Sequence, residues 1–200
     1  MSKTIFTPSI STRPTYADLV SRGSAPALIL AEGLGAEAIL ALTASDASVM
    51  DQAHLIFIPN ETEFGPRLSA LRPKQYHVGP SYPAILTRFK KALLDARMGT
   101  QLYLAGSEEL IGLATAEALS AGLPLDAIQA EHRGAITRRM QCVHCKGVTL
   151  GVSTDPFKCS HCGLTLFVRD HFSRRLGAFQ GVCVDAEEPG CVPPERGISA

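Results

Sequence analysis

This sequence predicts an α/β chain in two units: a doubly wound parallel sheet of about five strands, followed by a small β unit tied together by cysteines. Three observations carry the prediction. Short continuous apolar runs recur between segments of helical length, as expected of strands buried on both faces of a parallel sheet. The first run enters a glycine turn, Glu32-Gly33-Leu34-Gly35, and then a helical pattern. Two Cys-x-x-Cys pairs stand close together beyond Gln141.

Residues 1–25 are rich in Ser, Thr and Pro and show no sustained period, which reads as a flexible arm with little structure of its own. The α/β module is expected over 26–134. Its first strand is Ala27-Leu28-Ile29-Leu30-Ala31, and helical spacing continues through Ile39, Leu40 and Leu42. Leu55-Ile56-Phe57-Ile58, ended by Pro59-Asn60, is the second strand, and Gln75-Tyr76-His77-Val78 the third. From Tyr82 to Met98, Ile85, Leu86, Phe89, Leu93 and Leu94 fall on one side of a helix. Gln101-Leu102-Tyr103-Leu104-Ala105 is the fourth strand. Ser107 caps the next helix, Glu108 and Glu109 sit in its first turn where the macrodipole favours negative charge, and Gly122-Leu123-Pro124 stops it. Ala127-Ile128-Gln129-Ala130 closes the series. Strand, glycine turn and helix in that order open a dinucleotide-binding unit, and right-handed crossovers put helices on both faces of the sheet.

The second unit is expected over 135–184. Cys142-Val143-His144-Cys145 and Cys159-Ser160-His161-Cys162 are separated by thirteen residues. Two cysteines three apart on a tight turn aim both sulfurs at one point, and two such turns close a tetrahedral thiolate shell around one metal. This is the spacing of a zinc ribbon, with Cys142, Cys145, Cys159 and Cys162 as ligands. Gly147 and Gly163 follow the pairs where a metal knuckle turns back with positive φ. Val148-Thr149-Leu150 and Leu164 to Val168 read as the strands. A filled four-sulfur shell leaves no position for water or substrate, so the metal is structural. Iron in a rubredoxin-like tetrathiolate and a pair of redox disulfides are the rival readings. His144 and His161 are bystanders, and Cys183 and Cys191 are free thiols without a role. Residues 185–200 are expected to form a loose tail.

The chain has 200 residues and no net charge, enough for one core plus a small appendage. No uninterrupted apolar run reaches the length of a membrane span, and MSKTIFTPSISTRP lacks an apolar signal core, so a soluble cytoplasmic protein is expected. A reducing compartment also favours metal over disulfide for the cysteine quartet. Charge is unevenly spread: between Glu131 and Arg175 stand Arg133, Arg138, Arg139, Lys146, Lys158, Arg169, Arg174 and Arg175 against Glu131, Asp155 and Asp170. A neutral chain without a long basic run makes a weak case for nucleic acid, and an acidic protein surface explains the patch as well.

Residues 27 to 131 resemble the nucleotide-binding module of ferredoxin reductases of the phthalate dioxygenase reductase type. Ala31-Glu32-Gly33-Leu34-Gly35 lies at that family's first glycine turn, Leu102 to Ser107 at its strand ending in Cys-Gly-Pro, and Ile128-Gln129-Ala130-Glu131 at its closing strand. The resemblance implies nucleotide binding at Gly33, Gly35 and Gly106. Two departures point to a degenerate module. Glu37-Ala38 replaces the usual Thr-Pro, placing a carboxylate where a diphosphate would sit, and Ala105-Gly106-Ser107 replaces Cys-Gly-Pro. The flavin-binding barrel that precedes the module in that family has no counterpart in the first 25 or so residues, too few to build one.

The cysteine pairs, together with Val168-Arg169-Asp170-His171-Phe172-Ser173-Arg174-Arg175-Leu176-Gly177-Ala178, resemble the small subunit of bacterial dimethylamine monooxygenases, the DmmA-like family. That resemblance implies a multi-subunit enzyme that demethylates dimethylamine with oxygen and NADPH, yielding methylamine and formaldehyde. Its partners are a haem-dependent oxidative demethylase subunit and a flavin/iron-sulfur reductase subunit, which would hold the NADPH, flavin, iron-sulfur and haem sites. No haem attachment motif, plant-type iron-sulfur spacing or catalytic constellation is legible in this chain. Its expected part is therefore assembly or control of electron transfer, with Arg169, His171, Arg174 and Arg175 as a docking surface and Phe172 and Phe179 as apolar anchors or core. An active NAD(P)-binding reductase component and a nucleic-acid-binding ribbon are the alternatives.

Overall fold

The computed structural model of the chain describes residues 12–198. Strands β1 (Ala27–Glu32), β2 (Ala53–Ile58), β3 (Gln75–Val78), β4 (Gln101–Gly106) and β5 (Ile128–His132) form a wholly parallel sheet in the order β3-β2-β1-β4-β5. The crossovers are α1 (Gly35–Ser45), α2 (Gly65–Ala70), α3 (Tyr82–Leu94) and α4 (Glu108–Ser120). The apolar runs do not alternate with polar residues because both faces are covered. Ile29, Ala31, Leu55, Phe57 and Tyr103 pack with Ile39 and Leu42 of α1 and Leu68 of α2. Leu28, Leu30, Ile56, Leu102 and Leu104 pack with Phe89 of α3 and Leu110 and Ala114 of α4. Burying each of these large side chains contributes about 1.5–3 kcal/mol.

Strand order reverses between β1 and β4, so the carboxyl ends of these two strands mark the topological switch point at which such sheets bind ligands. The glycines there have packing reasons of their own. A Cβ on Gly35 would lie 2.1 Å from the Ala105 carbonyl oxygen, so only glycine lets α1 approach β4 this closely. Gly33 turns the chain at φ +48°.

The Ser/Thr/Pro-rich arm is seen from Thr12 on, its first eleven residues lying outside the described ones. Residues 12–25 contain no helix or strand, yet they are held to the α/β sheet. Gln129 of β5 brackets Val20, accepting its N–H at 2.8 Å and donating to its carbonyl at 2.9 Å. Glu131 accepts the Leu19 N–H at 3.0 Å, and Tyr103 Oη accepts the Arg22 N–H at 3.0 Å. Side chains thus supply the partners that a strand would find on a sheet edge.

The second unit has more strands than its cysteine spacing announces. β6 (Arg138–Cys142), β7 (Val148–Val152), β9 (Phe157–Lys158), β10 (Thr165–Ser173) and β11 (Ala178–Cys183) form a second sheet in the order β7-β6-β11-β10-β9, with β8 (Thr154–Asp155) between β7 and β9 in sequence. The stretch after Val168, where the sequence announces no strand, provides its centre: β11 pairs in parallel with β6 and antiparallel with β10. Met140, Cys142, Phe157, Leu166 and Phe179 form its core. The end of the expected loose tail returns to this unit. β12 (Arg196–Gly197) pairs antiparallel with β8, and Ile198 packs against the core.

Candidate metal centre and the joint between the units

Each Cys-x-x-Cys pair lies on the turn of a hairpin, one between β6 and β7, the other between β9 and β10. The two turns are built alike. Cys142 N–H donates to Gly147 O at 2.9 Å and Lys146 N–H to Cys142 O at 3.0 Å; Cys159 N–H donates to Leu164 O at 2.9 Å and Gly163 N–H to Cys159 O at 3.0 Å. The left-handed residue is Gly163 in the second turn, at φ +74°, but Lys146 in the first, at φ +62°. The expectation of positive φ at Gly147 is therefore corrected by one position. Gly147 is glycine for another reason: a Cβ there would stand 2.5 Å from the His161 ring. His161, expected as a bystander, packs there with its Nε2 at 3.1 Å from the Val148 carbonyl.

The four ligand atoms of Cys142, Cys145, Cys159 and Cys162 all lie within 4.8 Å of one another. Cys142 and Cys162 sulfurs are 3.8 Å apart, Cys145 and Cys159 3.7 Å. A tetrahedron with metal–sulfur bonds of about 2.3 Å has edges of roughly 3.8 Å, so the quartet has the dimensions of a tetrathiolate site. Its protons are unevenly held. Burial raises the Cys159 thiol, but the N–H groups of Cys162 and His161 and the adjoining thiols outweigh it and bring Cys159 down to about 6. The Leu164 N–H favours a thiolate at Cys162, but desolvation and the three adjoining sulfurs push that group up to about 12. Four sulfurs this close cannot all be thiolates without a cation between them. The donor set therefore fits a divalent metal, which would crosslink the two hairpins and leave no open coordination position.

The positions at which the resemblance places a nucleotide are occupied from within the chain. At the switch point the Glu32 carboxylate accepts from Ser107 Oγ at 2.6 Å and from Ser107 N–H at 3.3 Å. Gly106, at φ +152°, lies against it: a Cβ there would stand 2.9 Å from Glu32 Cβ. Glu37, in the first turn of α1, faces the Arg133 guanidinium at 3.6 Å. Both carboxylates stand where the resemblance places a nucleotide, Glu37 with its charge answered by Arg133.

Of the basic residues expected to dock a partner, Arg169, His171 and Arg174 line two cavities that share Arg13. Arg169 and His171 are exposed and line a cavity with Arg13 and Arg196, whereas Arg174, half-buried, lines another with Tyr16, Ile111 and Phe172. Arg175 is exposed at the β10–β11 turn. Phe179 is core, with its ring centroid 4.8 Å from that of the half-buried Phe172.

Arg138 was counted with the basic patch by its sequence position, but its side chain is only 2% exposed. It joins the units. Its Nε donates to Glu108 Oε2 at 3.3 Å, its Nη1 to Asp170 Oδ1 at 3.0 Å, and its guanidinium stacks 4.5 Å from the Phe179 centroid. Asp170 also accepts from Arg13 at 3.1 Å, and the Tyr16 hydroxyl donates to Glu108 at 3.1 Å. Burial raises the Glu108 carboxyl above its ordinary value, with Arg138 pulling the other way. Burial and then Glu108 push the Tyr16 phenol well up, so it stays a donor. Beside this network a Cβ on Gly177 would lie 2.5 Å from the Gly112 carbonyl, so the β10–β11 turn meets α4 backbone to backbone. A signal for Arg138 was present in the sequence: the period of two places Arg138, Met140 and Cys142 on one side of β6, and all three are buried.

Among the described residues no helix is long and apolar enough to cross a membrane. A solved flavohemoglobin from Malassezia yamatoensis is similar to the chain over 57% of its length and 33% of that protein, at 16% identity and a TM-score of 0.42. The delta subunit of a heme-dependent oxidative N-demethylase from Ectopseudomonas mendocina (strain ymp) is 39% identical over 113 residues. That match covers 55% of this chain and 65% of the relative's length. The model of the N-terminal domain of DmmA-like dimethylamine monooxygenase subunits matches residues 8–128, and that of the C-terminal domain residues 139–182. With both domains matched in order over most of its length, the chain belongs to the DmmA-like family of dimethylamine monooxygenase subunits.

Proposed function

We propose that this chain is a non-catalytic subunit that organises electron transfer in a cytoplasmic, multi-component dimethylamine monooxygenase, which uses NADPH and O2 to convert dimethylamine to methylamine and formaldehyde. The observation that carries the proposal is membership in a family of monooxygenase subunits by a chain whose cysteine cluster leaves no coordination position for a substrate. In this reading Cys142, Cys145, Cys159 and Cys162 hold one structural zinc. Its effect is to fix the β6–β7 and β9–β10 hairpins, and through β6 the Arg138 joint to α4. Gly33 serves a left-handed turn, Gly35 and Gly106 serve close packing, and the switch point carries Glu32 in place of a nucleotide.

The partners are a haem-dependent oxidative demethylase subunit, in keeping with the relative's name, and a flavin/iron-sulfur reductase subunit. Arg169, His171, Arg174 and Arg175 are the docking residues, their guanidiniums pairing with partner carboxylates. The division of labour falls between residues 26–134 as the α/β module and 135–184 as the docking ribbon. Co-expression with the haem and flavin subunits tests the reading. The chain is expected to co-purify with them and to contain one zinc, and Arg174→Ala with Arg175→Ala is expected to weaken assembly while leaving metal content intact. A chain that co-purifies with neither partner would overturn the subunit reading. Undiminished assembly of the double variant would overturn the docking surface alone.

A further inference from the structure

Away from the cysteine cluster, a cavity of about 480 Å³ opens among five stretches of chain. Arg13 comes from the arm, Arg138 from β6, Asp155 from β8, Arg169 and Asp170 from β10, and Arg196 from β12. Its guanidiniums are unequally engaged. Asp170 takes Arg13 and Arg138, Glu108 also takes Arg138, and Asp155 accepts the Val168 N–H at 2.9 Å. Arg169 and Arg196 have no ion pair among the described residues. Arg138 supplies the second observation. Its side chain is 2% exposed, yet its Nη2 is buried without a hydrogen-bond partner. A native chain rarely leaves such a donor unused, because a buried, unpaired polar group costs stability.

We propose that this cavity is an oxyanion site for a phosphate-class anion, either the free ion or the phosphate of a monoester. Arg138 is the buried donor, and the exposed Arg169 and Arg196 close over the ligand. The arrangement of donors selects phosphate over a carboxylate. They come from separate strands, one buried and two exposed, which suits a tetrahedral anion with acceptors on every side better than a planar carboxylate served by one fork. The site shares Arg169 with the proposed docking surface but needs no partner subunit, so titration of the chain alone tests it apart from the subunit reading.

The test is isothermal titration of the metal-loaded, full-length chain with inorganic phosphate, ribose 5-phosphate and succinate in low-salt buffer. One saturable site is expected for phosphate or its ester, with a Kd near or below about 1 mM. Tighter binding of the ester names an organic phosphate as the ligand, tighter binding of the ion names phosphate itself, and either result supports the site. Arg169→Ala with Arg196→Ala, both exposed and outside the core, should weaken binding by about tenfold or more. Arg174→Ala, on the other cavity, should not change it. The Arg138 side-chain NMR signals should shift on saturation. Failure of both phosphates to saturate at about ten times that concentration, unchanged binding in the double variant, or succinate bound as tightly as phosphate would each overturn the assignment.

Discussion

Arg138→Ala is the substitution through which the joint can be measured. It deletes a guanidinium 2% exposed that holds Glu108 at 3.3 Å and Asp170 at 3.0 Å, and it removes a cation 4.5 Å from the Phe179 ring. Breaking a buried pair by removing one member costs about 3–5 kcal/mol, because the other charge stays buried. The lost cation–π contact adds about 1 kcal/mol, while Asp170 keeps Arg13. A loss of about 5 kcal/mol is expected in urea unfolding of the metal-loaded protein near neutral pH.

The pH dependence makes that expectation specific. Burial raises the folded-state Glu108 carboxyl above its unfolded value. The stability it contributes is therefore full below the unfolded pKa and is lost as pH rises through the folded one. Without Arg138 the folded value climbs further, so the deficit of Arg138→Ala should be largest near neutral pH and shrink on acidification as Glu108 takes up its proton. Measured as a difference between wild type and variant, the acid loss of metal cancels. Glu108→Gln combined with Arg138→Met should recover much of the loss, since a neutral pair leaves no buried charge. A deficit under about 1 kcal/mol, typical of surface pairs, would refute the reasoning, as would one that grows toward acid.

Purified protein should carry one zinc per chain, and Cys145→Ser or chelation should release it, unfolding the second sheet while circular dichroism still reports the parallel one. Gly177→Ala places a Cβ 2.5 Å from the Gly112 carbonyl at φ +58°, and should cost about 2–4 kcal/mol in denaturant unfolding, from overpacking and left-handed strain together. Protein carrying Arg169→Ala and Arg196→Ala, which leaves the 2′-phosphate of NADPH no site in the arginine-lined cavity, should show no saturable binding of NADPH at millimolar concentration, because the Glu32 carboxylate stands at the switch point; fluorescence titration checks this, and a clear isotherm would reopen the reductase reading.

The parallel sheet was legible because its strands are buried on both faces, so Ala27–Ala31 and Leu55–Ile58 carry an unbroken apolar signal that needs no tertiary knowledge. The cysteine cluster was legible because ligand spacing is local chemistry. What stayed hidden depends on contacts distant in sequence. The span from Arg169 to Val184 announces no strand because the partner of β11, β6, lies some forty residues upstream, and parallel pairing leaves no hairpin signature. The arm reads as structureless because Gln129 and Glu131, about 110 residues away, supply its partners. Arg196 reads as part of a loose tail because a two-residue strand has no period to detect. Lys146 in place of Gly147 was missed because a left-handed turn at a metal knuckle tolerates a non-glycine residue when the backbone hydrogen bonds are satisfied.

The joint explains why this module is read as an organiser and not as a reductase. In a doubly wound sheet the stretch after β4 borders the crevice where a ligand is met. Here every polar residue of that stretch has another partner. Ser107 caps α4 by accepting the Leu110 N–H at 3.2 Å and binds Glu32 with its hydroxyl proton; Glu108 holds Arg138 and Tyr16; Glu109 faces Arg139 at 3.9 Å. The acids at the start of α4 satisfy the helix dipole in either role, so sequence alone cannot tell a capped helix from a docking point. The basic partners decide it, for Arg138 and Arg139 open the strand that ends at the first metal-site cysteine. A ligand bound at this edge and a ribbon seated on it would compete for the same residues, and the buried Arg138 gives the edge to the ribbon.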